Sequence, residues 1–278
     1  MANLKALTLR IKSVKSIQKT TKIMQTISAS KFHRAQQKLN VAKNYNNELS
    51  KLITAGYTNK IQSYNKQAST LIIILSSDRG LCGNFNYVIV QFASNYINDL
   101  IKKEQNIKLI FIGKKAYEIM QKTYADNIIK VLPQVNSTSD FYFFKNFLYR
   151  ANVNISQFDY VEIIYSKFYN VMLQKPVLQK VLPFTNDNKD HGSYEYNYDP
   201  DHMTVINKLH RNYIMSLLYV AFCESITSEN CARMIAMESA NSNTKNMLDK
   251  LVLQYNCLRQ ASITTDLIEI ISGSEALN

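Results

Sequence analysis

DHMTVINKLHRNYIMSLLYVAFCESITSENCARMIAMESANSNTKNMLDKLVLQYNCLRQASITTDLIEIIS, residues Asp201 to Ser272, contains neither glycine nor proline. At about 1.5 Å per residue such a stretch, if wholly helical, would reach about 108 Å. Met1 to Ala55 also lacks both helix breakers, and would add a second helix of about 80 Å. Neither fits inside an ordinary domain core. Helices of this length need each other, or a partner, to bury their apolar stripes. Met203, Ile206, Leu209, Tyr213, Leu217 and Val220 recur every three or four residues, and the end of the stretch returns to a seam through Leu248, Leu251, Tyr255, Leu258, then Ile263, Leu267, Ile270 and Leu277. Between them lies ARMIAMESANSN, rich in Ala and Ser, where a neighbouring helix can come close. In the N-terminal segment Leu4, Leu7, Ile11 and Val14 form a heptad seam. Ile17, Met24 and Ile27 are expected to continue it with a slip of one residue, and Ala29, Ala35, Leu39 and Ala42 to carry it onward.

The middle of the chain reads differently. LIIILSS (Leu71–Ser77) is a continuous apolar run of strand length, as for a strand buried on both faces. The turn DRGLCGN follows, then a helical pattern from Tyr87 to Lys103. KLIFIG, IIKVL, DYVEIIYSKF and VLQKVLPF read as further strands. KKAYEIMQKT and FYFFKNFLYRAN read as helices, the second with Asp140 at its start. This alternation predicts an open, mostly parallel sheet. The fold class is therefore α/β, a Rossmann-like body over residues 68–190. The N-terminal helix (1–60) and the C-terminal helix (201–278) add a long antiparallel two-helix coiled coil. The polar, breaker-rich TNDNKDHGSYEYNYDP (Thr185–Pro200) reads as the linker between body and last helix.

Charge refines that picture. The chain carries a formal net charge of +12. Lys5, Arg10, Lys12, Lys15, Lys19, Lys22, Lys31, Arg34, Lys38 and Lys43 precede the first acidic residue, Glu48. Like charges along one helix repel, and cations near its N-terminus oppose the macrodipole. Past Arg259 the C-terminal segment has Asp266, Glu269 and Glu275 but no Lys or Arg. Antiparallel pairing is expected to set the two charge patterns side by side. Nucleic acid is not the expected partner, because a basic zipper separates its DNA-reading region from its heptads. Here both share the same residues.

No run approaches the length of a membrane-spanning helix. The opening MANLKALTLRIK lacks the apolar core of a secretory signal. Cys82, Cys223, Cys231 and Cys257 have no metal-ligand spacing, and isolated cysteines suit a reducing compartment. The histidines, His33, His191, His202 and His210, are scattered. No catalytic constellation, metal site or cofactor site is expected. SSDRGLCGN follows a strand and precedes a helix, where α/β folds bind phosphates, yet it fits no phosphate-loop pattern. Asp78, Arg79, Gly80, Leu81, Cys82 and Gly83 are expected to form a structured turn, with Asp78 and Arg79 offered to a partner.

RIKSVKSIQKTTKIMQTISASKFHRAQ (Arg10–Gln36), SSDRGLCGNFN (Ser76–Asn86), YEYNYDP (Tyr194–Pro200) and the ending Ala232–Leu277 together resemble the gamma subunits of rotary F-type ATP synthases. The similarity covers essentially the whole chain. It implies a central-stalk rotor whose helices stand inside a ring of alpha and catalytic beta subunits. The body would rest with the epsilon subunit on the membrane c-ring. Proton-driven rotation would then force the beta subunits through their binding states. This subunit would bind no nucleotide or cofactor and would be non-catalytic, peripheral on the cytoplasmic face of a bacterial plasma membrane. The start directly in the helix favours the bacterial branch. On matching positions the resemblance implies partner contacts at Met24, Arg259, Gln260, Thr264, Asp266 and Glu269, with Lys19, Lys22 and Arg233 as further contacts. Thr20 and Asp266 depart from the family's usual Ile and Glu. The cysteine pair that the chloroplast branch inserts is lacking, so thiol regulation is not expected. The alternative is a coiled-coil scaffold with an α/β module and no rotary role. A third reading is an enzyme acting through the DRGLCG turn.

Overall fold

The computed structural model describes residues 2–56, 69–134, 140–151, 155–183 and 201–275. The expected linker Thr185–Pro200 and the seam residue Leu277 lie outside them. Both breaker-free stretches are single helices, α1 (Ala2–Gly56) and α5 (His202–Glu275). Asp201 starts α5 by accepting the Thr204 backbone N–H at 3.0 Å, which satisfies one of the donors a helix leaves open at its N-terminus. Between the long helices run β1 (Ser69–Leu75), α2 (Phe85–Lys102), β2 (Asn106–Ile112), α3 (Lys114–Met120), β3 (Ile128–Leu132), α4 (Phe141–Arg150), β4 (Tyr160–Phe168) and β5 (Gln174–Leu182). Single turns of 3₁₀ helix occupy Ala125–Asn127 and Ile155–Gln157.

The chain divides into two compact units, Met1–Ile27 with Met234–Asn278, and Ser28–Arg233. The second holds a five-stranded sheet in the order β3-β2-β1-β4-β5. The four pairings are parallel except β4 with β5. β5 is an edge strand, which is why it tolerates Pro176. Successive β1 side chains point to opposite faces. Ile72 and Ile74 join α2 and α3 in one core, with Ile89, Ala93, Ile97, Ala116 and Met120. Leu71, Ile73 and Leu75 join a second core with Ala35, Leu39 and Ala42 of α1, Phe144 and Leu148 of α4, and the Leu218–Ile226 stretch of α5. The sheet is thus covered on both faces, as the unbroken apolar runs require. Each such buried Ile or Leu contributes roughly 1.5–3 kcal/mol.

From Ser216 to Cys231 every residue of α5 is buried, charged and hydroxyl side chains included. Their polar atoms are largely spent on nearby partners. Thr227 Oγ1 donates to the Cys223 carbonyl at 2.7 Å, and Asn230 Nδ2 to the Ile226 carbonyl at 2.8 Å. Ser228 Oγ donates to the Ser166 carbonyl of β4 at 2.9 Å. Glu224 is ion-paired with Lys43 of α1. On the opposite sheet face the buried Glu162 accepts Tyr96 Oη–H at 2.6 Å.

In the first unit the two long helices meet through Val14, Leu248 and Leu251, with Ile11 against them. The α1 contact climbs from Val14 to Lys43 while its α5 counterpart descends from Leu251 to Glu224, so the pair is antiparallel. Two expectations change. Ile17 and Ile27 are 51% and 49% exposed. The heptad does not slip but runs on through Gln18, Thr21, Gln25 and Ser28 to Phe32 and Ala35. Spacing rather than hydrophobicity keeps that register, because four side chains of different character still fall on the inward line. Nor does charge join the helices here. Among the described residues no ion pair links Lys5, Arg10, Lys12, Lys15 or Lys19 to Asp266 or Glu269; α1 is ion-paired through Lys38, Lys43 and Lys51.

Candidate functional site

The turn after β1 is built from its own polar atoms. Ser76 N–H donates to the Ile112 carbonyl at 2.9 Å, and Ser76 Oγ accepts the Ala116 N–H at 3.2 Å. Ser77 Oγ donates to the Arg79 carbonyl at 2.7 Å, and Asn86 Nδ2 donates to Ser77 Oγ at 2.8 Å. Asp78 does the longest-range work. One carboxylate oxygen accepts the Lys114 N–H at 3.1 Å, the other the Gln134 N–H at 3.1 Å. It thereby ties the start of α3 and the end of β3 to β1. The close approach of these segments is visible at Gly113, whose φ is +107° and where a Cβ would lie 2.1 Å from the Ser76 carbonyl oxygen. Leu81 and Gly83 both take positive φ, 63° and 61°. For leucine that is a strained conformation, and its side chain is 62% exposed.

Cys82 is buried at the bottom of this turn. Burial pushes its thiol up, against an opposing pull from Arg233 and a hydrogen bond to Ser77. Its polar neighbours are Ser77, the Arg79 carbonyl and Asn86. A thiol held protonated is a poor nucleophile, which argues against the enzyme reading of the turn.

Arg233, which the resemblance implied to be a further partner contact, sits against this turn. Its side chain is only 12% exposed and pairs with Glu229 at 2.8 Å. Nη2 donates to the Arg79 carbonyl at 3.2 Å, and Nε and Nη2 reach the Gly80 carbonyl at 3.4 Å. Gln134 Nε2 in turn donates to Glu229 Oε2. The structure therefore brings Arg233 and the body motif together, and adds Gln134 and Glu229. Sequence reasoning passed over both. The i, i+4 spacing of Glu229 and Arg233 was a usable signal, whereas Gln134 follows a proline at a strand end and carried none.

The remaining expected contacts lie in the first unit. Lys19, Lys22, Arg259, Gln260, Thr264, Asp266 and Glu269 are exposed, and Met24 is half-buried. Thr264 Oγ1 donates to the Gln260 carbonyl at 3.0 Å, within the helix. Among these polar groups the last turns of α5 expose Ile263, Leu267, Ile268, Ile270 and Ile271 by 50–68%. At about 100° per residue these side chains cover nearly half of the helix circumference, an exposed apolar face that marks an interaction site. On α1 the exposed Lys5, Arg10, Lys12, Lys15, Lys19 and Lys22 form a basic surface.

Fold and site together define a protein class: a three-layer α/β domain integrated with a long antiparallel helix pair whose end exposes apolar surface. The family model described as ATP synthase matches residues 3–277. The chain is 52% identical over 281 residues to the ATP synthase gamma chain of Ehrlichia canis (strain Jake), covering 100% of both sequences. A chain of the Euglena gracilis mitochondrial ATP synthase, OSCP/F1/c-ring in rotational state 3, superposes with TM-score 0.70 at 18% identity, over 99% of this chain and 95% of the other. A chain of the Tetrahymena thermophila mitochondrial ATP synthase central stalk and c-ring superposes with TM-score 0.61 at 21% identity, over 80% and 99%. The chain belongs to the ATP synthase gamma-chain family.

Proposed function

We propose that this chain is the central-stalk rotor of a bacterial proton-driven ATP synthase. It couples rotation of a membrane c-ring to conformational change in catalytic beta subunits, which make ATP from ADP and phosphate. The observation that carries the reading is the end of α5, where Ile263, Leu267 and Ile270 are 50%, 54% and 68% exposed beside Arg259, Gln260, Thr264, Asp266 and Glu269. That surface suits a surrounding sleeve rather than water. The gamma-chain relatives and the structural neighbour from a mitochondrial ATP synthase central stalk support the same reading.

The mechanism follows from asymmetry. A turning helix pair presents different faces to three chemically equivalent sites. Each site's equilibrium shifts only by the difference in contact free energy between its states. The basic face of α1, with Lys19 and Lys22, would meet acidic beta-subunit surface, and Met24 the lower beta-subunit region. Arg259 to Glu269 would meet the alpha and beta loops above. The α/β body, proposed as residues 68–190 between shaft helices 1–60 and 201–278, would rest on the epsilon subunit and the c-ring. The chain itself would be non-catalytic and without cofactor. It would be peripheral, on the cytoplasmic side of the membrane; among the described residues no helix is long and apolar enough to cross one.

Co-expression with the alpha and beta subunits tests this. The chain is expected to copurify inside the hexamer. The exposed Cys257, used as a crosslinking handle, is expected to capture beta subunit. A hexamer that excludes the chain, or crosslinks only to the outer surface, would sink the reading. The scaffold alternative has no observation of its own in its favour.

A further inference from the structure

We propose that the closed polar ring around Arg233 fixes the angle of α5 within the α/β body, and so carries torque from body to shaft. The inference rests on the rotor reading. The ring passes through three separate segments. Asp78 holds the backbone N–H groups of Lys114 and Gln134. The Gln134 side chain donates to Glu229, Glu229 pairs with Arg233, and Arg233 donates back to the carbonyls of Arg79 and Gly80, next to Asp78. Glu229 and Arg233 stand one turn apart on the same side of α5.

A second grip holds the other side. Cys231 lies about 200° around the helix from Glu229. Its thiol is 3.5 Å from the Val171 carbonyl and accepts Gln174 Nε2–H at 3.6 Å, both on the β4–β5 hairpin. Ser228 is anchored to the Ser166 carbonyl. Grips on opposite sides of a cylinder resist its turning.

The need for them is written in the side chains. Burial is non-directional and does not set an azimuth. Interdigitated large side chains can, and Tyr219 and Phe222 do so against Phe144 earlier in α5, but the stretch that follows, where the grips lie, is Ser225, Ile226, Thr227, Ser228, Glu229, Asn230 and Cys231, mostly small or polar. Along that stretch directional hydrogen bonds take over from the aromatic knobs. Arg233 is also the last residue of the unit that holds the body, so the ring acts on α5 where it leaves that unit.

The test uses the whole enzyme reconstituted in vesicles, reading ATP hydrolysis and ATP-driven proton uptake together. Gln134→Glu sets two carboxylates against each other and removes the donor to Glu229. It is expected to assemble and hydrolyse ATP within about twofold of the parent, but to lower protons taken up per ATP at least threefold. Adding Glu229→Gln restores a donor–acceptor pair in the reverse sense and is expected to recover the ratio to within twofold. Arg233→Lys keeps the charge but cannot span Glu229 and both carbonyls, and is also expected to lower the ratio; it carries the test if Gln134→Glu does not fold. An unchanged ratio in an assembled variant, with only a lower melting temperature of the isolated chain, would mean the ring is merely structural and overturn the proposal. A swapped pair as poor as the single variant would do the same. Failure of the rotor reading is distinct: the unsubstituted chain would then show no ATP-driven uptake, and the proposal would fall with it.

Discussion

Cys257 is exposed on α5, while Cys82, Cys223 and Cys231 are buried. Burial raises the thiols of Cys223 and Cys231 to about 11 from an ordinary 9.0, and that of Cys82 in the same direction. A raised thiol pKa in the fold means the unfolded chain loses its protons first. The stability these groups support is fully present below pH 9 and falls as pH rises from 9.0 towards about 11. At pH 7.5 a maleimide is expected to label Cys257 alone in the native chain and all four cysteines in denaturant, as read by intact mass. Rapid native labelling of Cys82 would contradict the closed turn. Asp78 shows the same lesson from another side. The sequence marks it as part of a motif, and the fold turns its carboxylate inward to two backbone N–H groups.

At the scale of elements the heptad of α1 makes a sharp contrast. Val14 is 6% exposed against Leu248 and Leu251, while its near neighbour Ile17 is 51% exposed. Val14→Ala should cost roughly 2 kcal/mol of local stability, and Ile17→Ala no more than about 0.5 kcal/mol. Hydrogen exchange over the α1 backbone checks both, since only the first should raise exchange around residues 11–18. Equal effects would mean that the seam passes through Ile17 after all. The difference matters for function. A shaft must keep its partner helix in register through Gln18, Thr21 and Ser28, where apolar attraction is weakest; Thr21 Oγ1 donates to the Gln18 carbonyl within α1. α5 has the opposite character: among the described residues no apolar side chain past Leu251 is buried.

For the whole molecule that last fact yields a separable prediction. Residues Arg259 to Ser274 are almost wholly exposed in the free chain. Removing Arg259–Asn278 deletes little buried surface, so urea unfolding of the α/β body should shift by less than about 1 kcal/mol. On the proposed rotor reading, association with an alpha–beta hexamer should weaken at least tenfold, measured by copurification against dilution. If the body unfolds in step with lost association, the end of α5 is part of the fold and not an interaction surface. Exposed apolar surface in the monomer is then the cost of keeping a face for the assembly.

The two long helices were legible because glycine and proline are absent over Asp201–Ser272 and Met1–Ala55, and no tertiary contact is needed to read a missing breaker. The strands were legible because a strand covered on both faces must be apolar at every position, as Ile72 to Leu75 are. Antiparallel pairing was also anticipated, though not the contacts that make it: apolar packing at Val14 in the first unit and the Lys43–Glu224 ion pair in the second, rather than ion pairs between the basic start of α1 and Asp266 or Glu269. Three things waited on the fold. One is the seam through Gln18 and Thr21, whose polar side chains carry no hydrophobic signal. Another is the order of the strands, which depends on which helix covers which face. The last is the ring of Asp78, Gln134, Glu229 and Arg233. Its members are 56 and 95 residues apart along the chain, and hydrogen bonds between such distant groups exist only once the sheet has brought its strand ends to one side of a buried helix.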